Sequence, residues 1–274
     1  MVWECSIVSH QLTCPWINLY IFWHTIVRVE ISPNYDTRKQ PKYQTGGLWM
    51  KLKYFSHSAF QITTDAGENI LIDPFLDQNP TSPEKSINVK ADFILLTHGH
   101  GDHIGDTLAI AERCGSLCIC ENELASYLLS KGLNAHTMHI GGGHNFPFGH
   151  IKLTQALHTS VTPDQECHGA ATGIIITIGD RVIYHMGDTG LFSDLKLIGE
   201  MQDIDYLLAP IGDNFTMGIS DAVAACQFVQ PKTVIPMHYN TFPVIEADPK
   251  KFKQKVEAKG ITCRVMDFGE EIEL

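Results

Sequence analysis

The chain has 274 residues, 44% of them hydrophobic and 19% charged, and a formal net charge of −11. That balance belongs to a folded globular protein and excludes a disordered chain. The acidic surplus argues against a nucleic-acid partner, because neutralising phosphates takes a basic face.

Residues 1–49 differ in character from the remainder of the chain. The apolar stretch 16–27 is interrupted by His24 and is shorter than the roughly 20 residues of a membrane span. Glu4, with no Lys or Arg before it, argues against a signal peptide. No membrane association and a cytoplasmic location are therefore expected. Residues 38–47 are polar and turn-rich without helix or strand periodicity. At Met50 the pattern changes to Met50-Lys51-Leu52-Lys53-Tyr54-Phe55, an alternating strand. Gly46-Gly47 can be encoded by a purine run just upstream of an ATG at Met50. The expectation is a folded domain over 50–274, with 1–49 an extension created by a start codon placed too early. A short partner-binding or membrane-associated extension is the alternative, and mass spectrometry of the native N-terminus separates the two.

Residues 61–64 and 69–72 flank the turn Asp65-Ala66-Gly67-Glu68, a predicted β-hairpin that Asp73-Pro74 ends. The short apolar run Phe93-Ile94-Leu95-Leu96 reads as a buried strand. Directly after it comes Thr97-His98-Gly99-His100-Gly101-Asp102-His103, with three imidazoles and a carboxylate. A helix is predicted next, with Asp106 as N-cap, residues 107–113 as its body and Gly115 past its end. Open α/β folds place their sites at this end of a strand. His98 and His100, two apart in an extended segment, point the same way. The glycines at 99 and 101 let the loop turn so that Asp102 and His103 face the same point. Imidazole and carboxylate suit zinc, manganese or iron, and no Cys lies beside them to close a thiolate site.

A strand is expected over 117–120, a helix over 122–130 closed by Gly132, and a strand over 136–140 before the turn Gly141-Gly142-Gly143. Strands come next over 151–158 and 173–178, the second in a hairpin with 181–185, and over 205–208. Ser220 is read as capping a helix that ends before Pro231, and 232–237 as a strand. Asp248-Pro249 opens a last helix closed by Gly260, and strands over 261–266 and 270–274 finish the chain. Two β-rich halves, each with helices, predict two sheets packed face to face with helices outside. His158, Asp188 and His238 each fall at or just after a predicted strand end. The eight Cys include no C-x-x-C pair. Buried reduced thiols are expected, with a second, thiolate metal site as the alternative.

The run 97–103 matches the HxHxDH motif of the metallo-β-lactamase superfamily. The longer segment 96–106 resembles its UPF0173 (YtkL-like, UlaG-like) branch of metal-dependent hydrolases, relatives of the ascorbate-phosphate lactonases. The runs 186–194, 214–218 and 236–243 narrow the resemblance to that branch, and it extends over 50–274. It implies an α/β fold, the four-layer αβ/βα metallo-β-lactamase sandwich, with metals at one edge between the sheets. It also implies two divalent metal ions per chain, zinc or manganese. His98, His100 and His158 would hold the first, Asp102, His103 and His238 the second, and Asp188 would bridge both. Asp73 would orient a ligand histidine, unless it is only a turn-starting Asp before Pro.

The implied activity is hydrolysis of a small ester, lactone or phosphodiester-type substrate by a metal-bound hydroxide. Asp102 is the candidate for proton transfer. His57 is the candidate proton donor near pH 7, or else a structural histidine at a strand end. A nuclease of the same superfamily and a metal-dependent sensor without turnover are the alternatives. A homo-oligomer is left open. Two departures from the family pattern, Asp213 and Ser56 where Gly is usual, are expected beside the pocket.

Overall fold

The computed structural model describes residues 49–274, so the expected extension lies, but for Trp49, outside the described residues. In chain order the strands are β1 (Met50–Ser56), β2 (Ala59–Thr64), β3 (Asn69–Ile72), β4 (Phe93–Leu95), β5 (Leu117–Glu121), β6 (Asn134–Met138) and β7 (Gly143–Phe146). They continue with β8 (Gly149–Val161), β9 (His168–Ile178), β10 (Arg181–His185), β11 (Tyr206–Pro210), β12 (Thr233–Met237), β13 (Thr262–Cys263) and β14 (Glu271–Glu273). The helices are α1 (Gly101–Ile104), α2 (Thr107–Cys114), α3 (Asn122–Ser130), α4 (Leu195–Met201), α5 (Ile219–Val229) and α6 (Pro249–Glu257).

Two seven-stranded sheets result, ordered β14-β1-β2-β3-β4-β5-β6 and β13-β12-β11-β10-β9-β8-β7. Each joins an antiparallel half to a parallel half, the change falling at β3–β4 in one and β10–β11 in the other. Strand alternation decides what lies between them. Leu52 and Tyr54 of β1 turn inward while Lys51 and Lys53 face out to Glu271 and Glu84. Leu52, Ile62, Ile70 and Ile119 meet Ile151, Leu153, Ile176 and Leu208 of the other sheet in one buried core.

The outer faces are apolar as well, because parallel strands carry helices on their far side. Leu71, Ile94, Cys118 and Cys120 pack with Ile110, Leu124 and Leu128 of α2 and α3. Tyr184, Leu207 and Val234 pack with Leu195, Ala222, Cys226 and Phe252 of α4, α5 and α6. Helix, sheet, sheet, helix is the expected four-layer α/β sandwich. The free thiols of Cys118, Cys120, Cys226 and Cys263 are buried in these outer cores, as small apolar groups. Among the described residues no helix is long and apolar enough to cross a membrane.

Several elements differ from the sequence-based reading. β8 runs on to Val161, past His158, with a register shift between Gln155 and Thr159. Gly218, not Ser220, is the N-cap of α5, so Ser220 sits inside the first turn. The strand expected over 261–266 is reduced to Thr262–Cys263, and β7 and α4 are additions.

Candidate metal centre

The parallel strands of both sheets end at one edge, and the loops leaving β4, β10 and β12 carry His98–His103, Asp188 and His238 to it. His158 reaches the same point from within β8, where the bulge re-aims its side chain. All seven residues expected as ligands are thus gathered, in overlapping groups. His98, His100 and His158 form one, His98, His103 and Asp188 a second, and Asp102, His103 and His238 a third that also contains His57.

In the first group the proton positions can be worked out. Asp73 Oδ2 accepts from the Thr97 hydroxyl at 2.6 Å, so Thr97 Oγ1 must accept from His98 Nδ1–H at 3.0 Å. His98 Nε2 is then a bare lone pair, 3.0 Å from His100 Nδ1, which is itself 3.2 Å from His158 Nε2. Burial lowers the pKa of all three rings, so they are neutral at pH 7. Three neutral imidazole nitrogens crowded within hydrogen-bond distance are arranged to share a cation.

His103 is held on its other nitrogen, Nδ1–H donating to Asp73 Oδ2 at 2.8 Å. Its Nε2, Asp188 Oδ1 and His238 Nε2 are buried without a hydrogen-bond partner. Asp188 lies 3.2 Å from His103, 3.1 Å from His238 and 3.6 Å from His158. Orphaned buried polar atoms cost free energy unless something fills the space between them. The donor set therefore fits divalent cations, with Asp188 touching both ends of the cluster. Burial would raise the Asp188 pKa, but His103 and His238 outweigh it and hold the carboxyl well below its usual range.

Asp73 does more than start a turn. Besides His103 it accepts from the Thr97 backbone N–H at 2.8 Å, so one buried carboxylate positions two of the site's histidines. Its φ of +44°, with +54° at His57 and +54° at His238, puts three non-glycine residues in the left-handed region around one centre. Such strain persists only where the surroundings over-determine it. The His238 N–H donates to the His57 carbonyl at 2.7 Å, tying two of these positions together.

His57 is drawn into the same cluster. It is fully buried, and burial, reinforced by His238, pulls its pKa down to about 4. It holds no proton in reserve near pH 7. Asp102 Oδ2, 3.1 Å away, can only accept, so His57 Nε2 carries the hydrogen and Nδ1 accepts from the Thr241 hydroxyl at 2.9 Å. Both ring nitrogens are occupied, which leaves no lone pair for a cation.

Sequence reasoning passed over three supports. Thr97 and Thr241 stand inside recognised runs without an assigned role. His185 is buried behind the site, its Nε2–H donating to the Ser58 carbonyl at 3.0 Å while Nδ1 accepts from the Gly187 N–H at 3.1 Å. The two departures from the family pattern do not line the cleft beside Asp102. Ser56 is buried and its hydroxyl accepts from Asn79 at 2.8 Å, while Asp213 is exposed, at φ +60° where the family's Gly is at home.

The chain's similarities agree with this geometry. The Beta-lactamase superfamily domain is matched over residues 68–239. A UPF0173 metal-dependent hydrolase of Bacillus thuringiensis subsp. konkukian is 51% identical over 230 residues, 82% of this chain and 100% of the relative. The chain belongs to the UPF0173 metal-dependent hydrolases. A UPF0173 relative from Bacillus cereus is equally similar, at 51% over 230 residues with the same coverage. Among solved structures, Igni18, a metallo hydrolase from Ignicoccus hospitalis, superimposes with a TM-score of 0.76 at 42% identity, over 82% of this chain and 98% of that one. This UPF0173 protein is thus a metal-dependent hydrolase of the metallo-β-lactamase superfamily.

The loop before Asp188 gives a first test. Gly187 has φ +62°, and a Cβ there would lie 2.6 Å from the Thr172 carbonyl oxygen. Gly187→Ala should cost roughly 1–3 kcal/mol in urea unfolding. An unchanged midpoint would mean that the loop has slack.

Proposed function

We propose that the centre is binuclear and that the protein hydrolyses a small ester or lactone. His98, His100 and His158 would hold one cation, Asp102, His103 and His238 the other, and Asp188 both. The observation that carries this is the set of orphaned buried atoms, His103 Nε2, Asp188 Oδ1 and His238 Nε2, with Asp188 also 3.6 Å from His158 of the three-histidine group. When bound, such cations lower the pKa of water from 15.7 to about 7 and polarise the oxygen of the scissile group.

The rest is the work of the chain. Thr97 and Asp73 hold the Nδ1 atoms of His98 and His103, so that each ring turns its Nε2 inward. Asp188 is kept ionised by His103 and His238. Asp102 faces the cleft and is half-exposed. It is the carboxylate placed to take a proton as the nucleophile forms and to return it to the departing oxygen. Burial would raise its pKa, but the His57 hydrogen bond and His103 outweigh this and keep it ionised. His57 is on this reading a positioning residue, holding Asp102 from behind.

The test is elemental analysis followed by assays of the metal-loaded protein on lactones, esters and phosphodiesters. About two cations per chain with turnover of an ester or lactone is expected. Full loading without turnover of any ester or lactone would overturn that substrate reading. RNA binding that falls steeply with salt would favour a nuclease.

His57→Ala should keep the fold and both cations while kcat falls by roughly 10- to 100-fold, the range for a residue acting through a ligand. Thr241→Val, which leaves His57 Nδ1 without its donor, should act in the same direction with a smaller loss. Metal lost in proportion to activity would instead make His57 a ligand.

A further inference from the structure

Beside Asp102 a cleft of about 520 Å³ opens to solvent, a volume suited to a small organic molecule. One wall is aromatic. Phe75 and Phe242 lie with ring centroids 6.2 Å apart, and each meets the His57 ring edge-on, at 5.6 and 5.7 Å. Phe75 is buried and Phe242 half-buried, so the wall is anchored on one side and presents a ring on the other. Ile104 and Pro163 extend the apolar lining.

The charge of the cleft has one sign. Its charged lining side chains, Asp102 and Asp106, are both carboxylates, and no Lys or Arg lines it among the described residues. Asp106 is fixed, its Oδ2 accepting from the backbone N–H groups of Leu76 and Asp77 at 2.9 Å each. Cations held by the cluster would neutralise charge at the reacting group, whereas Asp106 belongs to none of the candidate ligand groups. An anionic group on the remainder of the substrate would face Asp106, with no Lys or Arg in the cleft lining to offset it.

We propose that this cleft is the subsite for an uncharged aromatic group, so that the substrate is a neutral aryl ester or aryl lactone rather than a phosphorylated one. The proposal rests on the hydrolase reading for its reaction, but the subsite can be tested by binding alone. Phe75 and Phe242 supply an apolar face for the ring, with the edge-to-face contacts that aromatic pairs prefer. Asp106 rejects ring substituents of negative charge.

The experiment measures Kd by titration calorimetry on the metal-loaded full chain. The probes are 2-tetralone (a ketone isostere of dihydrocoumarin that cannot be hydrolysed), cyclohexanone and a ring-sulfonated 2-tetralone. The unsubstituted 2-tetralone should bind about tenfold more tightly than either of the others. Phe242→Ala should remove that preference over cyclohexanone, with the thermal midpoint reporting that the fold is kept. Gln78→Lys, which brings a cation to the exposed rim of the cleft, should recover at least about threefold of the sulfonate's affinity. Equal or tighter binding of the sulfonate by the unmodified protein, or an unchanged preference in Phe242→Ala, would overturn the proposal. Selective 2-tetralone binding without turnover of dihydrocoumarin would support the subsite and count against the ester or lactone reading.

Discussion

Asp188→Ala should leave the purified protein with about one divalent cation or fewer per chain in place of about two. Turnover should fall by roughly 10³-fold or more, about 4 kcal/mol of transition-state stabilisation. The reason is position. Asp188 is the buried carboxylate within 3.6 Å of His158 and within 3.2 Å of both His103 and His238, so its loss touches every part of the cluster. Removing it leaves His103 and His238 facing each other with no negative charge between them. Near-UV circular dichroism should stay native-like, since the core between the sheets is untouched. An Asp188→Ala protein carrying two cations and full activity would show that the centre is organised around some other residue.

The site was legible where its residues are contiguous. His98 to His103 carry their geometry in the sequence, because period-two alternation and two small residues leave few ways to arrange the rings. His158 was legible as a ligand candidate but not in its setting. A bulge between Gln155 and Thr159, invisible in the residue pattern, carries the strand past it. The helix α4 escaped notice because Leu195–Met201 has no side-chain cap and holds Gly199. That glycine answers to packing rather than to helix propensity, since a Cβ there would come within 2.6 Å of the Val229 and Phe228 carbonyl oxygens of α5. β7 reads as polar turn because its residues Gly143, His144 and Asn145 are exposed at a sheet edge. For His57 the residue was visible and its chemistry was not. What sets its protonation is burial and a hydrogen bond to Thr241, 184 positions away, and neither can be read from neighbours in the chain.

Asp102→Asn separates charge from shape at the one carboxylate of the cluster that faces the cleft. Asp102 Oδ2 lies 3.1 Å from His57 Nε2 and 3.9 Å from His238 Nε2, so it joins the His57 contact to the position proposed for a second cation. An amide can keep its oxygen toward the His57 N–H, which preserves the ring's orientation. It cannot accept a proton, and it offers a cation a neutral oxygen instead of an anionic one. The expected result is weaker occupancy of the second position, restored by excess metal, together with a kcat loss of roughly 10²-fold or more that excess metal does not restore. The two losses have different origins, and titrating metal into the assay separates them: the recoverable part is coordination, the residual part is proton transfer. If activity returns in full at saturating metal, proton transfer belongs to another group. If the residual loss persists while His57→Ala costs less, Asp102 handles the proton and His57 only holds it in place.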